Sequence, residues 1–388
     1  MDYSQVLQLQ LRPNIIDLGW GHPDLQFLPA DIIRDATDRA LTRWGGVMLT
    51  YGIDHGVAPL RERIIDWITQ HEGVTPQLSE LMLSAGNSQA IAHICTMLTS
   101  PGDVIFVENP TYHLALRILR DAPVQLRGIP CDGDGVDVDA LAAAYTTAHA
   151  KGQRVAFFYT IPTFQNPTGV TLSQERRQAL ASLVATTGLR IVEDDVYREL
   201  WYDQPVAPSL WASMPRGHVI RLGSFAKSLA PGLRLGYINA DTPTIARLAG
   251  SGLFDSGGGI AHFQSLLVNE IFATGQYATI VESYRQLYRV RANALHTALL
   301  PLQQQGYAWH TPTGGYFLWM QLPTGSNELA LIAALEAAGV SALPGQLFSQ
   351  GPLGYAALRF SFSLYDDATL HRAGSIIVET LAAVARNA

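Results

Sequence analysis

The sequence predicts an α/β fold, with a mainly parallel sheet in a large domain and a smaller α+β domain. Two observations predict this architecture: six short apolar runs alternate with helical patterns between residues 81 and 222, and the alternation stops after Tyr237. Strands that are apolar along their whole length are typical of a parallel sheet that helices cover on both faces. A chain of 388 residues is also long enough for two hydrophobic cores.

The alternation assigns the elements in order. The predicted strands of the large domain are 81–84, 104–107, 124–126, 155–159, 190–193 and 219–222, and its helices lie near 89–99, 112–121, 137–149 and 173–187. After Tyr237 we expect a helix near 242–250, a helical region over about 260–301, paired strands at 306–310 and 315–322, a helix near 326–338, a strand at 357–363 and a last helix over about 366–386. The large domain is therefore placed at 30–275, and the small domain combines 1–29 with 276–388.

Composition and charge limit the classes of function. The net charge is −7 with a pI near 5.9, and no run of lysine or arginine stands out, which argues against a nucleic-acid partner or an anionic membrane surface. The cysteines, Cys95 and Cys131, offer no disulfide framework. The N-terminus lacks the pattern of a signal peptide, and no apolar run reaches membrane-spanning length. A cytoplasmic protein is the resulting expectation.

One stretch, Gly223-Ser-Phe-Ala-Lys-Ser-Leu-Ala-Pro-Gly-Leu-Arg-Leu-Gly-Tyr237, places a lysine among small and apolar residues. Lys227 lies three residues after Ser224 and seven before Arg234. Partial desolvation lowers the pKa of a lysine and makes its amine nucleophilic toward a carbonyl. A hydroxyl and a guanidinium nearby suit the dianionic phosphate of a cofactor that carries such a carbonyl. The alternative is a surface lysine beside a Pro-Gly turn.

Two predicted strand ends carry groups that suit a planar, phosphorylated ligand. Segment 84–89 is a Gly-containing turn before a helix, and it places Asn87 and Ser88 where the N–H groups of a helix start bind phosphate. Turns of this kind are common in α/β proteins. In segment 108–112, Tyr112 is either placed to stack on a heterocycle or is an ordinary aromatic residue at a helix start.

Three further segments carry polar groups that need partners. Asn166 lies in the constrained turn of 161–169, where it either fixes an amide for a ligand or serves turn chemistry alone. Segment 191–197, Ile-Val-Glu-Asp-Asp-Val-Tyr, places carboxylates at the end of a buried strand, which is costly unless they are paired. Arg359 stands in an apolar strand, where its anionic partner is either a ligand carboxylate or a structural carboxylate.

The order of these motifs resembles that of fold-type I enzymes that use pyridoxal 5′-phosphate (PLP), and in particular the class I aminotransferases. The resemblance covers nearly the whole chain. It is closest to the 2-aminoadipate and kynurenine aminotransferases and to the aminotransferase-like domain of MocR regulators, through the strings Phe164-Gln-Asn-Pro-Thr-Gly169, Glu193-Asp-Asp-Val-Tyr-Arg-Glu-Leu200 and Gly223-Ser-Phe-Ala-Lys227. It implies a fold-type I transferase, PLP as cofactor, an amino acid and a 2-oxo acid as substrates, and a homodimer.

The resemblance also implies residue roles. Lys227 is the Schiff-base lysine and the proton carrier, Asp194 pairs with the ring nitrogen, and Asn166 and Tyr197 bind the ring oxygen. The Asp-x-x-Tyr spacing selects Asp194 over its acidic neighbours. The other cofactor contacts are Tyr112 on the ring and, on the phosphate, Asn87, Ser88, Ser224, Arg234 and the partner subunit's Tyr51. The substrate contacts are Arg359, for the α-carboxylate, with Asn166 and Gly21.

Other activities remain open at this stage. β-Elimination and cyclase-type synthesis use the same cofactor residues, so the motifs do not separate them from transamination. A PLP-sensing regulator would need a DNA-binding domain, and we do not expect one, because the segment ahead of residue 20 is too short for it.

The sequence also predicts a preference for neutral amino donors. The arm 1–11 has no lysine or arginine, and the loop 19–29 offers aromatic and aliphatic side chains with His22 as its cationic candidate. An acidic side chain would be desolvated there without a strong partner. Arg12, or an arginine of the partner subunit, would reverse this preference by reaching the pocket. Ala226 stands where relatives often have serine, which removes one hydroxyl before Lys227.

Overall fold

The computed structural model describes residue 8 and residues 12–387. The strands are β1 (Ile16–Asp17), β2 (Leu81–Ser84), β3 (Val104–Asn109), β4 (Gln125–Asp132), β5 (Gly135–Val136), β6 (Val155–Thr160), β7 (Ile191–Asp194), β8 (Val219–Ser224), β9 (Gly236–Asn239), β10 (Phe317–Gln321), β11 (Val340–Ser341), β12 (Leu343–Pro344) and β13 (Ala357–Ser361). The helices are α1 (Ala30–Trp44), α2 (Ala58–Glu72), α3 (Asn87–Leu98), α4 (His113–Arg120), α5 (Val138–Ala150), α6 (Gln174–Thr187), α7 (Leu210–Ser213), α8 (Thr242–Ala249), α9 (Gly252–Gly257), α10 (His262–Ala273), α11 (Gln276–Leu299), α12 (Glu328–Ala337) and α13 (Asp367–Asn387). The predicted arm 1–11 lies outside the described residues, apart from Gln8.

An eight-stranded sheet organises the larger part of the molecule, in the order β2-β9-β8-β7-β6-β3-β4-β5. The strands β4, β3, β6, β7 and β8 are parallel neighbours, whereas β9 is antiparallel to both β8 and β2, and β5 is antiparallel to β4. The predicted mainly parallel sheet is therefore confirmed. The sequence analysis did not identify β9, because it begins inside the lysine segment and no helical pattern separates it from β8.

Both faces of this sheet are buried. Along β2, Leu81 and Leu83 pack into one hydrophobic core and Met82 packs into another, because successive side chains of a strand point to opposite faces. This alternation explains why the strands are apolar along their whole length. Burial on both faces leaves the strand ends as the places where polar side chains meet solvent.

The rest of the chain forms a smaller α+β unit. Its sheet has the order β10-β13-β12, and β1 pairs in parallel with β11, Ile16 opposite Val340. The helical region predicted over 260–301 is two helices, because the chain turns at Gly275, whose φ is +75°. The predicted pairing of 306–310 with 315–322 is reduced to one bridge between Ala308 and Gln321, and β10 pairs with β13 instead. The domain boundaries at 29/30 and 275/276 stay a prediction.

A buried ion network connects the end of α2 to β8 and to the segment after β7. Glu72 accepts a hydrogen bond from the Ser209 backbone N–H at 2.8 Å and lies 2.6 Å from the Arg221 guanidinium. Arg221 also contacts Asp195 at 3.0 Å, and Arg198 lies 3.4 Å from both carboxylates. Buried charges of this kind are tolerated only when each has a partner. No helix within the described residues combines the length and the apolar content needed to cross a membrane.

We expect Glu72→Gln to lower the free energy of unfolding at neutral pH by about 3 kcal/mol, because two buried arginines lose a carboxylate partner. Burial alone would raise the pKa of Glu72, but Arg221 and Arg198 outweigh it and lower the pKa to about 2. Because the folded pKa is below the unfolded one, this stabilisation is present above about pH 5 and is lost as the pH falls toward the folded value.

Urea unfolding at a series of pH values measures this difference. Glu62→Gln, on the exposed side of the same helix, is the matched control and should leave the unfolding curve unchanged. Equal stability of wild type and Glu72→Gln at neutral pH would show that the network contributes nothing net to folding.

Candidate active site

The predicted site residues converge at the carboxyl ends of the parallel strands. Asp194 ends β7, Lys227 follows β8, Asn166 follows β6 and Tyr112 follows β3. Ligands of open α/β sheets bind at this edge, where strand ends and helix starts face the same space. The sheet therefore brings together residues that are more than a hundred positions apart in the sequence.

Lys227 projects into this space from the turn after β8. Its Nζ donates a hydrogen bond to the Gly21 carbonyl at 2.8 Å and lies 4.9 Å from the centre of the Tyr316 ring. Desolvation lowers the pKa of Lys227 to about 8, with further lowering by the positive charges of Arg359 and Arg234. Near neutral pH the amine is therefore uncharged far more often than that of a solvent-exposed lysine.

Asp194 carries a buried carboxylate that is held from two sides. Its Oδ1 accepts a hydrogen bond from the Asn87 amide at 2.6 Å, and its Oδ2 accepts one from the Tyr159 hydroxyl at 2.7 Å. Burial raises the pKa of Asp194 to about 6, although these two hydrogen bonds act in the opposite direction. A buried carboxylate at a site is suited to pair with a positively charged group of a ligand.

The two acidic neighbours of Asp194 point elsewhere. Glu193 accepts hydrogen bonds from the backbone N–H groups of Leu210 and Trp211, at 2.8 and 3.0 Å. Asp195 belongs to the ion network of Glu72 and Arg221. Of these three consecutive carboxylates, only that of Asp194 contacts the other site residues.

The start of α3 and the guanidinium of Arg234 form a positively charged cradle. Gly86, which precedes the helix with a φ of +80°, provides no side-chain cap for the first turn. A Cβ atom at this position would lie 2.9 Å from Nη2 of Arg234, so the guanidinium lies directly against the helix start. Ser88 is exposed in the first turn, and Ser224 ends the neighbouring strand β8. A helix N-terminus beside a guanidinium suits a dianion such as a phosphate.

Several buried polar atoms near this edge lack partners. Within the described residues, Ser84 Oγ, Asn87 Oδ1, Gln89 Nε2 and Arg359 Nε form no hydrogen bond. Buried polar groups are nearly always satisfied, so these atoms indicate a polar ligand or ordered water. The residues present fit PLP: the cradle suits its phosphate, Asp194 its ring nitrogen and Lys227 its carbonyl. The Asn87 side chain donates to Asp194, so its backbone N–H at the start of α3 is the Asn87 donor that remains available for the predicted phosphate contact.

Arg359 lies on β13 with its guanidinium enclosed. It donates to Asn166 Oδ1 at 3.0 Å and to the Gly19 carbonyl at 2.5 Å, between the rings of Phe317 and Phe348 at 4.1 and 4.7 Å. Burial lowers the pKa of Arg359 to about 10. Within the described part of the chain no carboxylate lies in salt-bridge range of it, which argues against the structural ion pair considered above.

The predicted tyrosines divide into two groups. Tyr197 is buried and contacts Tyr316 and Phe317 edge to face, with ring centroids 5.5 and 5.9 Å apart. Tyr112 lies close enough to Asp194 and Arg359 for their charges to act on its hydroxyl, whose pKa burial raises. Tyr51, in contrast, is 80% exposed and lies on the surface, so this chain alone does not bring it to the site.

Sequence analysis missed several residues that surround the site. Tyr159 ends an apolar run, and nothing in the sequence links it to Asp194, because the pairing of β6 with β7 that places Tyr159 opposite Val192 is a property of the folded sheet. Phe317 lies inside the strand predicted at 315–322, but that pattern did not mark it as a site residue. Phe348 and Tyr316 carry no motif, and only the packing of the smaller unit brings them to Arg359 and Lys227.

The chain matches the family described as aminotransferase class I and II over residues 13–377. It is 31% identical to aromatic-amino-acid aminotransferase 1 of Thermococcus litoralis, over 98% of this chain and 91% of that protein. It is 32% identical to a 2-aminoadipate transaminase of Thermus thermophilus, over 93% of this chain and 89% of that protein. An uncharacterised HTH-type transcriptional regulator of Bacillus subtilis is 28% identical, over 94% of this chain and 74% of that protein.

A solved structure has the same fold. The kynurenine aminotransferase of Pyrococcus horikoshii, solved in complex with PMP, superposes with a TM-score of 0.88 at 29% identity, over 97% of this chain and 96% of that chain. Together with the family match, this similarity confirms the fold-type I architecture and the predicted resemblance. The chain belongs to the class I and II aminotransferases, the PLP-dependent enzymes that move an amino group between an amino acid and a 2-oxo acid.

Proposed function

We propose that this aminotransferase acts on neutral amino acids, with Lys227, Asp194 and Arg359 as its central site residues. The observation that carries the proposal is the meeting of an amine of lowered pKa, a buried carboxylate and a guanidinium that has no carboxylate partner among the described residues. These three groups match the carbonyl and ring nitrogen of PLP and the α-carboxylate of an amino acid.

Bound PLP supplies a carbonyl that condenses with amines and a ring that accepts electrons. The lowered pKa of Lys227 would leave its amine unprotonated and available to hold that carbonyl. The same amine would accept and return the proton of the substrate α-carbon, because a general base works best with a pKa near the working pH. Asp194 would pair with the ring nitrogen, while Asn87 and Tyr159 each donate a hydrogen bond to one of its carboxylate oxygens.

The remaining proposed contacts hold the cofactor. Tyr197 and Asn166 would bind the ring oxygen, and Tyr112 would stack on the ring. Around the phosphate, the proposed contacts are the backbone of Asn87, Ser88, Ser224, Arg234 and the partner subunit's Tyr51. The cradle of α3 and Arg234 supports this set, because a helix N-terminus and a guanidinium both stabilise an anion.

Arg359 is proposed to bind the α-carboxylate of the substrate. Its contact with Asn166 at 3.0 Å joins the carboxylate site to the ring-oxygen site, so both groups hold one substrate in a defined orientation. Gly21 is proposed to lie against the substrate, because its carbonyl accepts a hydrogen bond from Lys227 and a Cβ atom there would lie 2.7 Å from the Phe317 ring.

The charges around Arg359 support a neutral side chain on the substrate. Arg12 is held by Glu336 at 2.8 Å and Asp17 at 3.1 Å. Burial lowers the pKa of His22 to about 4, with a further contribution from Lys227. Burial and the charge of Arg359 lower the pKa of His113 to about 4 as well. Near neutral pH neither imidazole supplies the cation that an acidic side chain needs.

The aromatic side chains near Arg359 and His22 also support a neutral side chain on the substrate. Phe317 and Phe348 flank Arg359, and Trp20 lies beside His22 with ring centroids 5.3 Å apart. Aromatic walls bind aliphatic and aromatic side chains by apolar contact. The relative from Thermococcus litoralis is named for aromatic amino acids, which fits this proposal, whereas the relative from Thermus thermophilus is named for 2-aminoadipate.

The enzyme is proposed to work as a homodimer in the cytoplasm. Val47, Leu49, Tyr51 and Ile53 expose between 50% and 80% of their surface on one segment, which a second copy would cover. Both cysteines are free thiols, as a reducing compartment would keep them. The large domain is proposed to span 30–275, and the small domain is proposed to combine 1–29 with 276–388.

We expect Lys227→Ala to reduce turnover by at least about a thousandfold, because both the nucleophile and the proton carrier are lost. The variant should still bind PLP, because the phosphate cradle is intact. Borohydride treatment of the wild-type enzyme followed by peptide mass spectrometry should find the cofactor attached to Lys227. Attachment to another lysine would contradict the assignment.

We expect Asp194→Asn to keep its fold but to slow proton removal from the substrate by roughly three orders of magnitude, or about 4 kcal/mol, because a charge that acts on the ring is lost. Stopped-flow absorbance measures this step. Asp195→Asn is the matched control: it should lower the unfolding temperature, because Asp195 pairs with Arg221, and leave the step nearly unchanged. The reverse pattern would show that the wrong carboxylate was chosen.

We expect kcat/KM to be higher for leucine and phenylalanine than for glutamate and 2-aminoadipate when one 2-oxo acid serves as acceptor. An acidic side chain would be desolvated beside aromatic rings and neutral imidazoles, which costs several kcal/mol. Arg359→Ala should raise KM for all four donors, because it removes a contact that they share. Higher kcat/KM for the acidic pair would mean that another cation reaches the pocket.

A further inference from the structure

We propose that Glu108 and Gln165 are positioning residues that set the separation between two loops of the active site, the loop 109–112 that ends in Tyr112 and the loop 165–169 that contains Asn166. The inference rests on the proposed contacts of Tyr112 and Asn166 with the cofactor. Neither Glu108 nor Gln165 reaches the other site residues directly. Both act through the backbone of the loops to which they are bonded.

Glu108 holds the ends of two neighbouring strands together. It lies near the end of β3 and is only 2% exposed. One carboxylate oxygen contacts the Thr160 hydroxyl at 2.5 Å, and the other accepts from the Ile161 backbone N–H and from Nε2 of Gln165, both at 3.1 Å. These contacts connect the strand that precedes the Tyr112 loop with the strand end that precedes the Asn166 loop.

Gln165 bonds to both loops at once. Its Nε2 also donates to the Pro110 carbonyl at 2.7 Å, inside the Tyr112 loop. Its Oε1 accepts from the Thr168 backbone N–H at 2.9 Å and from the Thr168 hydroxyl at 2.8 Å, inside the Asn166 loop. The amide therefore bridges the loops, with its donors on one side and its acceptor on the other.

Burying the Glu108 carboxyl group and the Gln165 amide costs desolvation free energy, which indicates that the separation of the two loops is important. Burial raises the pKa of Glu108, although its three hydrogen bonds oppose that change. Apolar side chains of similar volume would fill the same space without the desolvation of a carboxyl group and an amide. They would not, however, impose directional contacts at defined distances on two loops.

The two loops also lead outward to Arg359. The Asn166 side chain accepts a hydrogen bond from Arg359 at 3.0 Å. In the other loop, the Thr111 backbone N–H donates a hydrogen bond to the Phe348 carbonyl at 2.9 Å, and the ring of Phe348 lies over the Arg359 guanidinium. A change in the loop separation would therefore displace both the ring contacts and the carboxylate contact. A displacement of this kind should alter cofactor affinity as well as KM.

The test compares variants that cut the bridge with variants that keep it. Gln165→Glu keeps both contacts with Thr168 and removes the donors to Glu108 and Pro110. Glu108→Met removes all three acceptor contacts. Glu108→Gln keeps them, because the new amide donates to Thr160 and its oxygen accepts from Ile161 and Gln165. Glu193→Gln is the matched control, because Glu193 is also a buried carboxylate near a strand end but bonds to α7.

Two quantities are measured on the holoenzyme: the Kd for PLP by equilibrium dialysis, and the pH midpoint of the visible absorption of the bound cofactor. We expect Gln165→Glu and Glu108→Met to weaken PLP binding by about tenfold and to shift the midpoint. Glu108→Gln should retain the wild-type Kd and midpoint. Glu193→Gln should lower the unfolding temperature without a change in either quantity.

Three outcomes decide the matter. Wild-type Kd and midpoint in Gln165→Glu would overturn the proposal, and this variant keeps the test valid if Glu108→Met does not fold. If Glu108→Gln weakened PLP binding as much as Glu108→Met does, the effect would come from the charge of Glu108 and not from its hydrogen bonds. That result would also overturn the proposal. Asn166→Ala and Tyr112→Leu test the underlying roles separately: unchanged values in both would refute their proposed cofactor contacts, whatever Gln165→Glu shows.

Discussion

The desolvation of Lys227 at a site that also holds the guanidinium groups of Arg359 and Arg234 is the constraint on which this active site depends. Burial is the largest cause of the lowered pKa of Lys227, and the charges of Arg359 and Arg234 lower it further. Such a set of charges is most stable when anions lie among them. Under the proposed assignment, these anions are the phosphate of PLP and the α-carboxylate of a substrate. The charges that lower the pKa of the amine would then also bind the two ligands.

The fold directs three consecutive carboxylates to three different sets of partners. Glu193, Asp194 and Asp195 are consecutive, yet each contacts a different partner: the start of α7, the site residues Asn87 and Tyr159, and the Arg221 network. Alternation of side chains along a strand separates adjacent residues onto opposite faces. The carboxylates next to Asp194 are therefore used to stabilise the fold, and only Asp194 remains available to a ligand.

Under the proposed residue roles, the loops after β3 and β6 join the recognition of the cofactor to that of the substrate. Asn166 contacts Arg359, and Gln165, the residue before it, bonds to Glu108 and Pro110. The same short segment thus reaches the carboxylate site on one side and the Tyr112 loop on the other. Because the bonds are directional and buried, a change at one of these residues is expected to affect the others.

The sequence by itself determined the class of fold, the cofactor and the chemical type of most site residues. Apolar runs predicted the buried parallel sheet, and the segments around Lys227, Asp194 and Asn166 predicted a PLP enzyme, because local spacing is enough to recognise a motif. Only the tertiary structure decided that the Asn87 side chain bonds to Asp194, that Tyr159 supports the same carboxylate and that Phe348 covers Arg359. These contacts join residues on different strands and units, and their distances depend on how the whole chain packs.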